Sequence, residues 1–358
     1  MKSKIYFLVL VVVLLFSANN SKAQIIVVQH GTSASVFTDL DSAMQAASAG
    51  DYLYLSGGLF VVHGISALDT YSLDFYKPLH FVGAGIDANS TSVTGQTSIQ
   101  GAITSSNPSG TLAIGDDADG STFDGIYFSV PNVYFSNDQI TPDKSGHFSF
   151  TRCIMNNIYF GAYFGGGPLP GAVSAEFHEC IMVQGISNAG WGSSSATVDR
   201  CIVMSLNQSL SAAVSWTNCI LGAPGDAGSF TNCIIYAGSS SFVNQFGAVY
   251  TNCLLGDALP TSGPDVFSNC TGGVDMSTVF VNAPAKGFAW SKDYHLVNNS
   301  PAITYGSDGH DCGIYGSATA AKAGFVPYNP HYSSVTIPTS TDANGNLNIN
   351  IHVSAQSN

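Results

Sequence analysis

Three charged residues occupy the same place in a recurring motif, one position before a cysteine: Arg152, Glu179 and Arg200. An arginine in such a place can neutralise the carboxylate of a uronic acid while a nearby base, here Lys144 or His178, removes a proton. The same residues stacked in adjacent turns of a repeat would instead form an ion-pair ladder, worth about 1 kcal/mol or less if exposed. A second charged group is the loop Gly115-Asp116-Asp117-Ala118-Asp119-Gly120. Asp116, Asp117 and Asp119 could offer hard oxygen ligands to Ca²⁺. They lack the ligand spacing of an EF-hand loop, and the composition favours a solvated turn. His310-Asp311-Cys312 is too small a group to argue for zinc. No other cofactor is implied.

Aromatic residues supply the remaining candidates. Tyr159, Phe160, Tyr163 and Phe164 run into a Gly- and Pro-rich stretch, and Trp191 lies in a second insertion rich in Gly and Ser. Aromatic rings on such loops are suited to stacking against sugar rings. Folding back to bury the rings on the body of the protein is the equal alternative.

These residues hang on a repeat, which has to be read before any other feature. Trp216-Thr217-Asn218-Cys219-Ile220-Leu221 returns as Phe230-Thr231-Asn232-Cys233-Ile234-Ile235 and as Tyr250-Thr251-Asn252-Cys253-Leu254-Leu255. Looser copies begin at Phe150, Phe177 and Val198, the series opens at Phe123 with Ile126 in the cysteine place, and Phe267-Ser268-Asn269-Cys270 closes it. The cysteine-equivalent positions 126, 153, 180, 201, 219, 233, 253 and 270 are separated by 27, 27, 21, 18, 14, 20 and 17 residues. A helical-hairpin repeat would hold its period, whereas a β-solenoid keeps its strand cores and takes insertions in its turns. Stacking coils at roughly 4.8 Å turns each motif column into a ladder. The expected ladders are an interior aromatic stack, an interior cysteine column, and a third of Asn218, Asn232, Asn252 and Asn269, bonded from coil to coil at the bend. Strand alternation cannot bring all of Cys, Ile and the next aliphatic inside, so one apolar column, Ile154 through Leu254 or the one after it, faces out. Such a strip marks an interface or lies under another segment, and the C-terminal tail is a candidate cover.

The chain has eight cysteines. Seven share one column, where parallel neighbours sit near 4.8 Å, slightly beyond the Cβ separation of a disulfide at roughly 3.5–4.5 Å. Buried free thiols are the favoured reading.

The Phe-x-Asn-Cys-x-Ile pattern resembles the right-handed parallel β-helix proteins of the pectin-lyase-like superfamily, over roughly residues 35–316. The resemblance implies an all-β, right-handed parallel β-helix. It implies function only broadly, because such folds include polysaccharide lyases, glycosidases and non-catalytic surface proteins. No lyase motif of that superfamily aligns here, so no catalytic residue is carried over. Residues 288–316 resemble the closing coil of secreted β-helix proteins.

Residues 1–23 read as a signal peptide: Lys2 and Lys4, an apolar run from Ile5 to Phe16, and Ser21-Lys22-Ala23 before the cut. No stretch is long enough to be a transmembrane segment, and the first cysteine is Cys153, which argues against a lipid anchor. Residues 24–60 read as an N-terminal cap and first coil, with a short helix near Ser42–Ala47 capped by Asp39 or Asp41. Residues 61–316 form the β-helix. Residues 317–358 form a β-strand tail with a hairpin about Asn344-Gly345.

Lys2, Lys4 and Lys22 leave with the signal segment, so seven cations remain against 23 acidic residues. That surface repels nucleic acid and anionic lipid. The expectation is a secreted or surface-located, non-catalytic scaffold whose partner is an extracellular polysaccharide or a surface protein. A polysaccharide lyase or glycoside hydrolase is the alternative, and it requires acids or cations from different coils to converge in a groove. Oligomeric state is not legible.

Overall fold

The computed structural model describes residues 24–63, 65–68, 71–73, 75–87, 95–103, 110–136, 145–160, 173–188, 194–205, 213–223, 228–236, 247–325, 331–336, 340, 342, 344–347 and 349–354. The described chain is almost entirely strand, arranged as a parallel β-helix with one short helix at its start.

A 12-stranded sheet forms one wall. It opens with the antiparallel pair Ser33–Phe37 and Ile26–His30, continues through Tyr52–Leu55, and is parallel from there to Val266–Ser268. The register aligns Phe123, Phe150, Phe177, Val198, Trp216, Phe230, Tyr250 and Phe267 as the repeat requires. It also extends the column upstream to Phe81 and Leu53. Inside, Phe81, Phe123, Phe150 and Phe177 stack with ring centroids 5.0, 4.9 and 5.2 Å apart. Val198 interrupts the pile, which resumes as Trp216, Phe230, Tyr250 and Phe267 at 5.9, 4.7 and 4.8 Å. Each stacked pair adds about 0.5–1.5 kcal/mol to the burial of its rings.

The second wall is an 11-stranded sheet running from Gly58–Val62 to Leu254–Leu255. The turn between the walls is one residue in left-handed backbone, with φ of 49–56° at Arg152, Glu179, Arg200, Asn218, Asn232, Asn252 and Asn269. Asparagine adopts this region more readily than most residues, which accounts for its return at four of the seven turns. The kink resets the strand alternation: Phe150 points in, Cys153 three residues later also points in, Ile154 points out and Met155 in.

The cysteine column does more than fill space. All eight cysteines are free thiols. Cys180 Sγ lies 3.4 Å from the Phe150 carbonyl of the preceding coil and accepts the Cys153 N–H at 3.4 Å. Cys153, Cys201, Cys219 and Cys253 likewise donate to the carbonyl of an aromatic-column residue one coil back. The sulfurs thus serve backbone groups that the sharp turn leaves inside, and burial pushes the Cys153, Cys201 and Cys233 thiols well up.

The end of the solenoid is closed by the helix Leu40–Ala46, whose Leu40, Ala43 and Met44 enter the main core. Asp39 is its N-cap and accepts the Ser42 N–H at 2.8 Å, while Asp41 binds the His63 N–H instead. A two-stranded antiparallel hairpin, His331–Thr336 with Asn350–Ser354, forms the C-terminal tail.

Candidate functional site

Residues 288–316 do not form a closing coil. Among the described strands neither long sheet contains any part of 272–325; its one strand pair, Phe280–Asn282 with Asp293–Leu296, is separate and antiparallel. The segment is a strap laid along the outside of the second wall. Ile154, Ile181, Ile202, Ile220, Ile234 and Leu254 are the outward column, and they form a second hydrophobic core with Met276, Val279, Phe280, Ala302, Ile314 and Phe325 of the strap. The cover for the outer strip is therefore this stretch, upstream of the terminal hairpin.

The left-handed turns are the rail on which the strap is fastened. Tyr305 donates its hydroxyl to the Asn269 carbonyl at 2.8 Å, and its own carbonyl accepts from Asn252 Nδ2 at 2.9 Å. One coil back, Asn232 Oδ1 accepts the Ser307 N–H at 2.8 Å and its carbonyl accepts the Gly313 N–H at 3.0 Å. Arg200 donates to the Thr319 carbonyl, and the Lys322 backbone N–H bonds Glu179. From Tyr305 to Lys322 the strap thus climbs from the last coil toward the first as its residue numbers rise. The asparagines do not bond one another from coil to coil as the sequence suggested; the bonds of Asn232 and Asn252 go to the strap.

The charged candidates are the upper rungs of this rail. Arg152 holds Asp124 through two bonds, Nε–Oδ1 at 3.0 Å and Nη2–Oδ2 at 2.6 Å. Arg200 lies 2.8 Å from Asp199 and 3.5 Å from Glu179. Arg152 and Glu179 are 3% and 2% exposed, so this is a buried network rather than the exposed ladder of weak pairs. Burial pushes the Glu179 carboxyl up, against the pull of Arg200 and Arg152; burial likewise raises Asp124, against Arg152. Burial would raise Asp199 too, but His178 and Arg200 hold it below the usual range. A raised acid flanked by arginines has the electrostatics of a general acid. Here it has strap above it and partners on both sides, and no room for a substrate. Removing one member of such a pair leaves an uncompensated buried charge.

The outward face of the 12-stranded wall carries the other polar candidates. His178 lies 3.6 Å from Asp199 and 3.7 Å from Glu176, with His147 3.8 Å from the same glutamate. Thr217, Thr231 and Thr251 follow in register down the wall. The face is a ladder of paired and hydroxylated side chains on a regular sheet. Asp119 of the acidic loop accepts the His147 N–H at 2.7 Å, so one of the three carboxylates ties neighbouring coils together; Asp116 and Asp117 lie in or beside a single 3₁₀ turn, Asp116–Ala118. Among the described residues no group of three or more His, Cys, Asp or Glu side chains is arranged to hold a metal ion.

The aromatic candidates separate. Phe160 is a core residue, 5.1 Å from Phe135 between ring centroids, and is not a platform. Tyr159 faces outward and stacks on Tyr134 at 4.7 Å. Tyr163, Phe164 and Trp191 lie outside the described residues, as does Lys144. Sequence reasoning passed over Phe288, Trp290 and Tyr315, which line a cleft of about 520 Å³ between strap and wall. The signal is present in Gly287-Phe288-Ala289-Trp290-Ser291, an aromatic pair among small residues like the Gly-rich loops at Tyr163 and Trp191.

No protein-family model matches the chain, and no curated protein or solved structure is significantly similar to it. The class defined by fold and site is a parallel β-helix with an external strap.

Proposed function

We propose that the protein is a non-catalytic β-helix scaffold, of the right-handed pectin-lyase-like kind, that acts outside the cytoplasm and binds glycan. The observation that carries this reading is the fate of the acid and base candidates. Arg152, Glu179 and Arg200 are neutralised by one another and by Asp124 and Asp199, and Glu179 and Arg200 fasten the strap. Hydrolysis or elimination needs groups that converge on an open groove with a substrate-sized gap between them. The surplus of acidic residues supports a neutral partner over an anionic one. The apolar run before Ala23 supports export. Among the described residues no helix is long and apolar enough to cross a membrane.

The test is incubation of the mature chain with neutral and acidic polysaccharides, with and without Ca²⁺. Retention on an immobilised glycan and formation of unsaturated uronates or new reducing ends are followed together. The expected result is retention with no product. Turnover of any substrate would overturn the scaffold reading in favour of a lyase or hydrolase.

A further inference from the structure

We infer that the cleft between strap and wall is a binding site for a short neutral oligosaccharide, with Trp290 as its stacking platform. The inference rests on the glycan-binding reading and assigns it a place. The cleft measures about 520 Å³ and is lined by Phe288, Trp290, Ser291, Lys292 and Tyr315 of the strap, with Asp87 from the segment after the strand His80–Val82. That volume falls within the roughly 300–1,000 Å³ usual for small-molecule sites.

The lining has the two chemistries that a sugar presents. Trp290 is 39% exposed although its neighbour Phe288 packs edge-on against it at 5.2 Å, so aromatic surface is held at the mouth of the cleft. Phe288 in turn lies parallel to the buried Tyr294 at 6.5 Å, and Tyr315 is stacked on His295 at 4.0 Å. These rings are braced from behind, which keeps the ordering cost of binding low. C–H faces of a pyranose pack on such rings, and its hydroxyls require acceptors and donors beside them. Asp87 provides a carboxylate and Ser291 a hydroxyl. The Lys292 ammonium donates to the Ala285 and Gly287 carbonyls, and an ammonium has a third N–H.

Charge selects among sugars. The acidic residues outnumber the cations by more than three to one in the mature chain, and Lys292, the one cation among the described lining residues, is already engaged with two carbonyls. A uronate would bring its charge next to Asp87 with no arginine to receive it. A purely apolar ligand would strip water from Asp87 and Lys292 without replacing it.

Titration of the full mature chain with cellotriose, xylotriose, mannotriose and laminaritriose, beside trigalacturonate, tests the assignment by calorimetry. The expected result is saturable binding of at least one neutral trisaccharide, weakened about tenfold or more by Trp290→Ala and largely restored in Trp290→Phe. Unfolding midpoints of the variants show that the fold is intact. Preference for trigalacturonate overturns the ligand class. Equal binding by Trp290→Ala and wild type overturns the site while leaving a glycan-binding scaffold standing. Absence of retention on every glycan, oligomeric or polymeric, overturns both.

Discussion

Replacing Asn232 separates two physical contributions that meet at one turn. Its φ is 56°, its Oδ1 accepts the Ser307 N–H at 2.8 Å, and its carbonyl receives Gly313. Asn232→Ala puts a Cβ residue without a local polar side chain into the left-handed region, costing about 1–2 kcal/mol. It also removes a side-chain hydrogen bond worth about 0.5–1.5 kcal/mol, and the lower end applies because Ser307 is exposed and water can replace the acceptor. The expected loss is about 1.5–2.5 kcal/mol. Asn232→Gly loses the same bond and adds about 0.5–1 kcal/mol of unfolded-state entropy, but it carries no steric penalty at positive φ. Glycine should therefore be the milder change by several tenths of a kcal/mol or more. The neighbouring Thr231 lies in a strand, where glycine should be the worse of the two. Urea unfolding of all four variants, at unchanged m, reads the order directly. Alanine at 232 milder than glycine, or the same order at both positions, would refute the account of the turn.

The remaining predictions concern the strap, the wall and the core. Ile220→Ala should cost about 2–5 kcal/mol by urea unfolding although Ile220 is on the outside of the coil, because the strap buries it; a near-zero cost would mean that the strip is bare. Hydrogen bonding to Asp199 raises the His178 pKa above its ordinary value, so the folded state holds the proton more tightly than the unfolded chain. That contribution is complete below about pH 6.5 and is lost as pH climbs through the raised value, so His178→Asn should flatten the fall in unfolding midpoint on the alkaline side; an unchanged pH profile would contradict the pairing. Ellman titration should find eight thiols in urea without reductant. In native protein only Cys270, the one cysteine not fully buried, should react promptly, and a deficit in urea would indicate disulfides.

The fold was legible because its main signal is repetition of residue types, and every aromatic from Phe123 to Phe267 stands in the register that the repeat implies. The direction of the isoleucine column was ambiguous in sequence. Strict alternation from Phe150 would send Cys153 outward, and only the left-handed residue at 152 brings both inside. The strap was misread for a related reason. Its Asn299-Ser300-Pro301 and Asp311-Cys312-Gly313 turns look like coil turns, and a segment packed sideways across coils leaves no period in its own sequence. The charged candidates were correctly placed in one column, but burial is a property of what lies above them, and the partners Thr319 and Lys322 are more than a hundred residues away. Trp290 went unnoticed because the cleft exists only where the strap meets the wall.

A stack of coils is close to a one-dimensional chain in which each unit is stabilised by its two neighbours, and such chains can melt from an end or split in the middle. The strap breaks that locality. Because one continuous segment is bonded at residues 179, 200, 232, 252 and 269, loosening any one of these coils weakens the hold on the others. The solenoid from residue 179 to residue 269 is thereby tied into a single cooperative block. At the amino-terminal end the coils rest on their neighbours and on the helix Leu40–Ala46 that closes the core there, so cooperativity at that end depends on the cap.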